Sequence, residues 1–329
     1  MLRYILRRIL IMIPTLIAVS MLSFIVIELP PGDFVDAYVG EMRAKGERVA
    51  YEDIEALRSY FNLDDPLPVK YWKWISGILF RFDFGRSLGH QRPVSTLLLD
   101  RLPFSFLISF ASFVLVWVIG LPIGLYSATH QYSIGDYVAS FIGFLGLAMP
   151  NFLFALVALW VYFSATGQVL VGLFSVKYMS APWSLAKVVD LLRHIWIPAI
   201  IVGVAGTASL IRRVRANLLD ELEKPYVIVA RAKGLSETRL LFKYPFRIAM
   251  NPAISTIGWI LPGLFAGEVL TSVVLGTPTI APVFLNSLLN QDMYLAGSIV
   301  LILSTLTVIG TLISDILLAW VDPRIRGAV

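Results

Sequence analysis

Residues able to make or break bonds are scarce in this chain, and the few present are not arranged to do so. There is no cysteine, which removes disulfides, thiolate metal sites and cysteine nucleophiles. His90, His130 and His194 are the three histidines and show no metal-ligand spacing. No Gly-x-x-x-x-Gly-Lys-Ser/Thr loop is present to cradle phosphates. No His-Glu-x-x-His or Gly-x-Ser-x-Gly motif marks a hydrolase. Neither a catalytic nor a metal-binding set is indicated. What remains is two carboxylates in apolar surroundings, Glu268 and Asp315, and a cluster of basic residues between Arg212 and Arg247. A carboxylate within a membrane-depth helix is costly, so it faces a bundle interior, a water-filled path or a partner. For Glu268 two readings stand: it lines a translocation route, or it is protonated or satisfied by a neighbouring helix. Asp315, near the end of its apolar run, is expected to reach interfacial water or to pair with a basic loop residue.

The elements that hold these groups are apolar runs. The chain is 57% hydrophobic and 15% charged, against about 25% charged in soluble domains. Six apolar segments can be drawn, at 9–29, 104–126, 137–164, 195–211, 253–275 and 294–320. A run of about 20 apolar residues is what a helix needs to cross about 30 Å of hydrocarbon. The chain therefore reads as an all-α polytopic membrane protein of about six transmembrane helices. The first run follows Arg3, Arg7 and Arg8 and exceeds the roughly 7–15 residues of a signal-peptide core, so it is a retained span. The fourth is the shortest, contains Pro198, Gly203 and Gly206, and is framed by Arg193 and Arg212. Gly120–Gly124 and Gly263–Gly267 permit close helix approach, while Met149-Pro150 and Pro262 are candidate kinks.

Charge distribution sets the expected orientation. Nine basic residues lie from Arg212 to Arg247, Arg324 and Arg326 follow the last span, and 276–291 contains no Lys or Arg. The positive-inside rule then places both termini and the loop 212–250 in the cytoplasm. The net charge of +5 is a topology signal and implies no nucleic-acid partner. The expected organisation is a first span at 1–29 and an external cap region at 30–103. A transmembrane core at 104–320 carries the loop 212–250, and a cytoplasmic tail follows at 321–329. Within the cap region, Ile54, Leu57 and Phe61 suit a short amphipathic helix. Val69, Trp72, Ile75 and Leu79 recur at helical spacing, and Trp72 and Trp74 suit a membrane interface.

The loop carries the most information. Pro225 suits a first helical position, Gly234 a left-handed stop, and Ser236 with Glu237 the start of a second helix. Leu240, Leu241 and Tyr244 give that helix an apolar face. The result is helix, sharp turn, helix, with small Ala230 and Ala232 letting another surface approach. From the residues alone this is either a docking element or a basic loop held at anionic headgroups.

Ala230-Arg231-Ala232-Lys233-Gly234-Leu235-Ser236-Glu237 resembles the ATPase-coupling segment of permeases in the dipeptide/oligopeptide/nickel branch of the ABC importers. The wider superfamily pattern is Glu-Ala-Ala, three residues, Gly, nine residues, Ile-x-Leu-Pro. Ala230 and Gly234 match it, while Ile228, Val229, Tyr244, Phe246 and Arg247 depart from it. Similarity to the branch continues through Leu2-Arg3-Tyr4-Ile5 with Arg7-Arg8, Leu63-Asp64 with Pro66-Leu67-Pro68, Asp83-Phe84-Gly85-Arg86-Ser87 and Arg101-Leu102-Pro103. Ser314-Asp315 and Asp322-Pro323-Arg324-Ile325-Arg326 complete it.

That resemblance implies a type I importer permease of the inner membrane. Its implied partners are a second homologous permease, two cytoplasmic ATPases that bind ATP and Mg, and an external solute-binding protein delivering peptides or related solutes. The chain itself would hold no cofactor and hydrolyse nothing. A secondary transporter driven by ion gradients is the alternative that the helices and Glu268 also allow. A membrane-embedded enzyme lacks a visible nucleophile or metal set.

Overall fold

The structure, a computed structural model, describes residues 2–29, 34–44, 46, 50–60, 65–87, 89–168, 172–258 and 269–321. In chain order the helices begin with α1 (Leu2–Glu28), α2 (Phe34–Ala44), α3 (Tyr51–Tyr60) and α4 (Leu67–Arg81). A two-residue antiparallel pair, β1 (Arg86–Ser87) with β2 (Arg92–Pro93), matches Arg86 to Pro93 and Ser87 to Arg92. Then come α5 (Val94–Thr129), α6 (Ile134–Ala148), α7 (Asn151–Thr166), α8 (Val176–Met179) and α9 (Leu185–Leu222). The remainder are α10 (Pro225–Ala232), α11 (Glu237–Lys243), α12 (Pro245–Ala249), α13 (Asn251–Ser255), α14 (Val269–Leu275), α15 (Ile280–Leu289) and α16 (Met293–Val321).

Among the described residues four helices are long and apolar enough to cross a membrane, and two bent pairs bring the number to six if each counts as one span. The third expected segment is one such pair: α6 and α7 meet at 105°. The cause is local. Pro150 has no N–H to continue the ladder, and it forces Met149 out of helical geometry, to φ −99° and ψ 133°. The second pair, α14 with α15, bends by 108°, and α15 occupies what the sequence suggested was a short loop at 276–291. The fourth segment differs most. α9 runs 38 residues through Pro198, well beyond both framing arginines, so 212–222 is helix where a loop was expected. The expected kink at Pro262, the Gly263–Gly267 pair and the motif from Asp322 fall outside the described residues.

Two compact units are present. The first comprises Met1–Ile11, Phe104–Pro278 and Leu306–Val329, and α9 is its axis. Ile108, Leu173, Phe174, Leu191, Ile195 and Val202 form one buried cluster along it. Val116, Leu210, Val214, Met250 and Ala253 form a second. Gly120 and Gly124 are where α5 meets α9: a β-carbon at Gly124 would stand 2.9 Å from Val214 Cβ and 3.0 Å from the Ile211 carbonyl oxygen. This small-residue pair thus serves packing within the chain. The Ser112 hydroxyl donates to the Ala199 carbonyl at 2.8 Å across the same two helices.

The second unit comprises Met12–Pro103 and Thr279–Thr305, which includes the region 30–103. Trp74 is buried in it with Phe24 and Leu301, whereas Trp72 is 66% exposed.

Candidate functional site

The eight residues singled out in the sequence fall in one compact motif at the end of α9. Pro225 stands at the first position of α10, after Lys224 in extended geometry. The helix ends at Gly234, whose φ is +78°. The Leu235 N–H returns to the Ala230 carbonyl at 3.4 Å and the Gly234 N–H to the Arg231 carbonyl at 3.0 Å, the paired closure that a left-handed glycine permits. Ser236 then starts α11 from an extended conformation, but its side chain makes no capping bond, contrary to the expectation. Instead Glu237 reaches back to Arg231 in a two-pronged contact, 2.6 Å to Nε and 3.1 Å to Nη2. That hydrogen bond holds the Glu237 carboxyl below its usual pKa.

The motif has its own small core of Val227, Ala230 and Leu240, flanked by Tyr226, Leu235 and Tyr244. Ala230 therefore faces inward, not toward an outside surface, and its smallness serves the helix crossing. Outward stand Ile228, Val229, Arg231, Ala232, Lys233, Gly234, Ser236 and Glu237. A β-carbon on Gly234 would meet nothing within 4 Å. This leaves an apolar pair, a backbone turn and two cations exposed on the motif.

Two attachments fix the motif to α9. The Tyr226 hydroxyl donates to Glu221 Oε2 at 2.6 Å, and partial burial with that neighbouring carboxylate pushes the phenol far above its usual pKa. Leu241 packs on a cluster of Ala128, Leu218 and Ala249. The segment that follows the motif is tied to α9 as well: Arg213 Nη1 donates to Thr256 Oγ1 at 2.6 Å, and Asn217 Nδ2 to the Ala249 carbonyl at 3.5 Å. The arrangement can bind a surface and pass a displacement to α9. It contains no group poised for bond chemistry.

Other functional candidates scatter. Glu268 lies outside the described residues. Asp315 pairs at 3.0 Å with Arg8 of α1, not with a loop residue. Among the described residues no three metal-ligating side chains come together. His194 Nδ1 instead meets the Asp190 carbonyl at 2.7 Å.

Sequence reasoning missed two buried carboxylates. Asp136, 2% exposed, receives Arg215 Nε and Nη2 at 2.8 Å each, so Arg215 is the half-buried partner of a buried carboxylate and not a loop cation. Asp292, also 2% exposed, accepts the Ser87 hydroxyl at 2.5 Å and the Gly89 N–H at 3.2 Å. It clamps the Asp83–Ser87 stretch to the start of α16.

A multi-pass helical protein that displays such a fixed helix–turn–helix from a long spanning helix has the build of a membrane transport subunit. The chain belongs to the family of binding-protein-dependent transport system inner membrane components, whose sequence profile matches residues 120–327. The profile of the corresponding N-terminal region matches residues 1–111. The chain is 35% identical to the oligopeptide transport system permease protein AppB of Bacillus subtilis strain 168, over 98% of this chain and 99% of the relative. It is 29% identical to the inner membrane ABC transporter permease protein YejB of Escherichia coli O157:H7, over 98% of each. It is 28% identical to the dipeptide transport system permease protein DppB of E. coli K12, over 99% of each. The fold is accordingly the type I ABC permease fold, and the chain is a multi-pass inner-membrane permease subunit of an ABC importer. The ion-gradient alternative has no support in these relationships.

Proposed function

We propose that this permease forms half of the path for a peptide importer and that the motif 225–243 is where an ATPase docks. Peptide as cargo rests on the relatives named oligopeptide and dipeptide permeases. The remaining path would come from a second, similar permease, with peptide delivered by an external solute-binding protein. Two ATPases on the cytoplasmic side would bind ATP and Mg, this chain holding neither. In this reading both termini are cytoplasmic, and Glu268 lines the path.

The observation that carries the docking assignment is the open front of a rigid turn. Gly234 holds a left-handed conformation with nothing of its own chain before it, while the back of the motif is bonded to α9. A surface that seats on the Ile228–Val229–Gly234 face can therefore push or pull α9 without first deforming the motif.

The test is Gly234→Val in the assembled complex. A branched side chain adds strain at positive φ and fills the docking face. Expected is normal insertion and complex yield, with ATPase activity no longer stimulated by peptide-loaded binding protein. Normal transport by Gly234→Val, with no crosslink from Leu235 or Arg239 to an ATPase, would leave the motif as a headgroup-bound loop. The isolated chain in vesicles is expected to take up no peptide, whatever ion gradient is imposed.

A further inference from the structure

We propose that the second unit carries a binding cleft for the phosphate of an anionic phospholipid, formed along α4 and the β1–β2 turn. The cleft has a volume of about 730 Å³. Lys70, Lys73, Arg81 and Arg86 line it, with Asp83 as the single carboxylate among the lining residues. Two of these cations are already neutralised, Lys70 by Glu28 at 3.2 Å and Lys73 by Asp65 at 2.6 Å. Asp83 spends one carboxylate oxygen on the Gly85 N–H at 2.9 Å. Arg86 is held by the Gln91 carbonyl at 3.0 Å, which leaves its charge uncompensated. Arg81 has no hydrogen-bond or ion-pair partner among the described residues. Two guanidinium charges thus lack an anion in one cleft, and planar guanidiniums suit phosphate oxygens. Trp74, 6% exposed, also lines the cleft, and its buried indole N–H has no acceptor among the described residues.

The helix itself indicates a lipid. At helical spacing α4 divides into three sectors. Tyr71, Trp74, Ile75 and Ile78 pack on Phe24 and Leu301. Lys70, Lys73, Gly77 and Arg81 form the second sector, along the cleft. Val69, Trp72, Leu79 and Phe80 form the third, and all four are exposed, Leu79 by 69% and Phe80 by 79%. A basic stripe that adjoins an exposed aromatic and aliphatic stripe is the pattern of a helix seated at the headgroup level. Gly77 shapes the end of the cleft: the chain turns back over it, with the Asp83 N–H on the Gly77 carbonyl at 3.0 Å. A β-carbon there would stand 3.1 Å from the Asp83 carbonyl oxygen. The turn requires Phe82 at φ +55°, an unusual conformation for a bulky residue, yet leaves its ring 60% exposed. Strain that presents an aromatic ring outward fits a ring that enters an apolar phase.

The assembled complex, purified in detergent, is titrated with phosphatidylglycerol or phosphatidylcholine and lipid retention is read by native mass spectrometry. Preferential retention of phosphatidylglycerol is expected. Arg81→Gln should cut it about fivefold, one basic residue's attraction to an anionic surface, and Arg81→Gln with Arg86→Gln should abolish the preference. Arg81→Lys should retain it, which separates lost charge from lost fold, and complex yield monitors the fold directly. Equal retention of both lipids, or unchanged preference in the double variant, overturns the proposal. Displacement of phosphatidylglycerol by millimolar inorganic phosphate would overturn it in favour of a free-anion site. A crosslink from position 81 to another protein, with no lipid retained, would assign the cleft to an acidic protein surface instead.

Discussion

Gly85 and Gly234 both hold left-handed backbone, at φ +87° and +78°, yet their surroundings are opposite. At Gly85 a β-carbon would stand 3.0 Å from the Tyr294 ring. At Gly234 it would stand in open space. The first glycine is required by the chain's own packing: the Val94 N–H closes on the Gly85 carbonyl at 3.0 Å, and Tyr294 fills the space a side chain would take. The second is required by its turn alone, and the space before it is left for something else. A positive-φ glycine says that the backbone bends. What lies in front of it says whether the bend serves the fold or a partner.

The largest expected effect tests the packed member of the pair. Gly85→Val combines left-handed strain of about 1–2 kcal/mol with overpacking of about 1–3 kcal/mol against Tyr294. Yield and thermal stability of the complex should fall sharply, whereas Gly234→Val, which carries the left-handed strain without the overpacking, should leave yield near normal and lower stability less. Equal damage from the two substitutions would erase the distinction. Next comes Leu240→Ala, which empties the fully buried centre of the helix–turn–helix at 225–243 at a cost of about 2–5 kcal/mol. Protease sensitivity should rise within 225–243 and stimulated ATPase activity should fall, while Leu240→Met restores both.

The smallest effect is expected of Arg231→Ala, with uptake within about twofold of wild type, as for exposed ion pairs. Its pH behaviour has a definite sign. The Glu237 carboxyl is held below its ordinary value by Arg231, so the pair's contribution is fully present above the free value of 4.5. It is lost as pH falls through the depressed folded value. Near neutrality, wild type and Arg231→Ala should therefore share the same pH profile of ATPase stimulation.

Local signals made the helix–turn–helix at 225–243 legible in the sequence. Pro225, Gly234 and the spacing of Leu240 act within a few residues of themselves, and the structure follows them. Ser236 begins α11 as its residue type suggests, but without the side-chain capping bond. Apolar runs located the spans but not their ends. Charged residues beyond Arg193 and Arg212 closed the apolar window while the α9 backbone continued through them, since a helix leaving an apolar phase loses its hydropathy before its hydrogen bonds. The ion pair of Asp136 with Arg215 and the clamp of Asp292 on Ser87 join residues far apart in the chain, and no periodicity encodes such a meeting. The bend at Met149-Pro150 was visible as a proline, its 105° size was not, because the angle depends on how α6 and α7 each pack against α9.

The length of α9 has a mechanical consequence. Its 38 residues extend roughly 57 Å at about 1.5 Å per residue, nearly twice the hydrocarbon thickness of about 30 Å. Such a rod is a lever arm with its handle at the Glu221–Tyr226 bond. A tilt of only about 5° about one end displaces the other by roughly 5 Å, on the scale of one helical turn. An ATPase gripping the handle would need to move little for residues at the far end to change neighbours, and the gearing is set by where along α9 the glycine contact of α5 acts as the fulcrum.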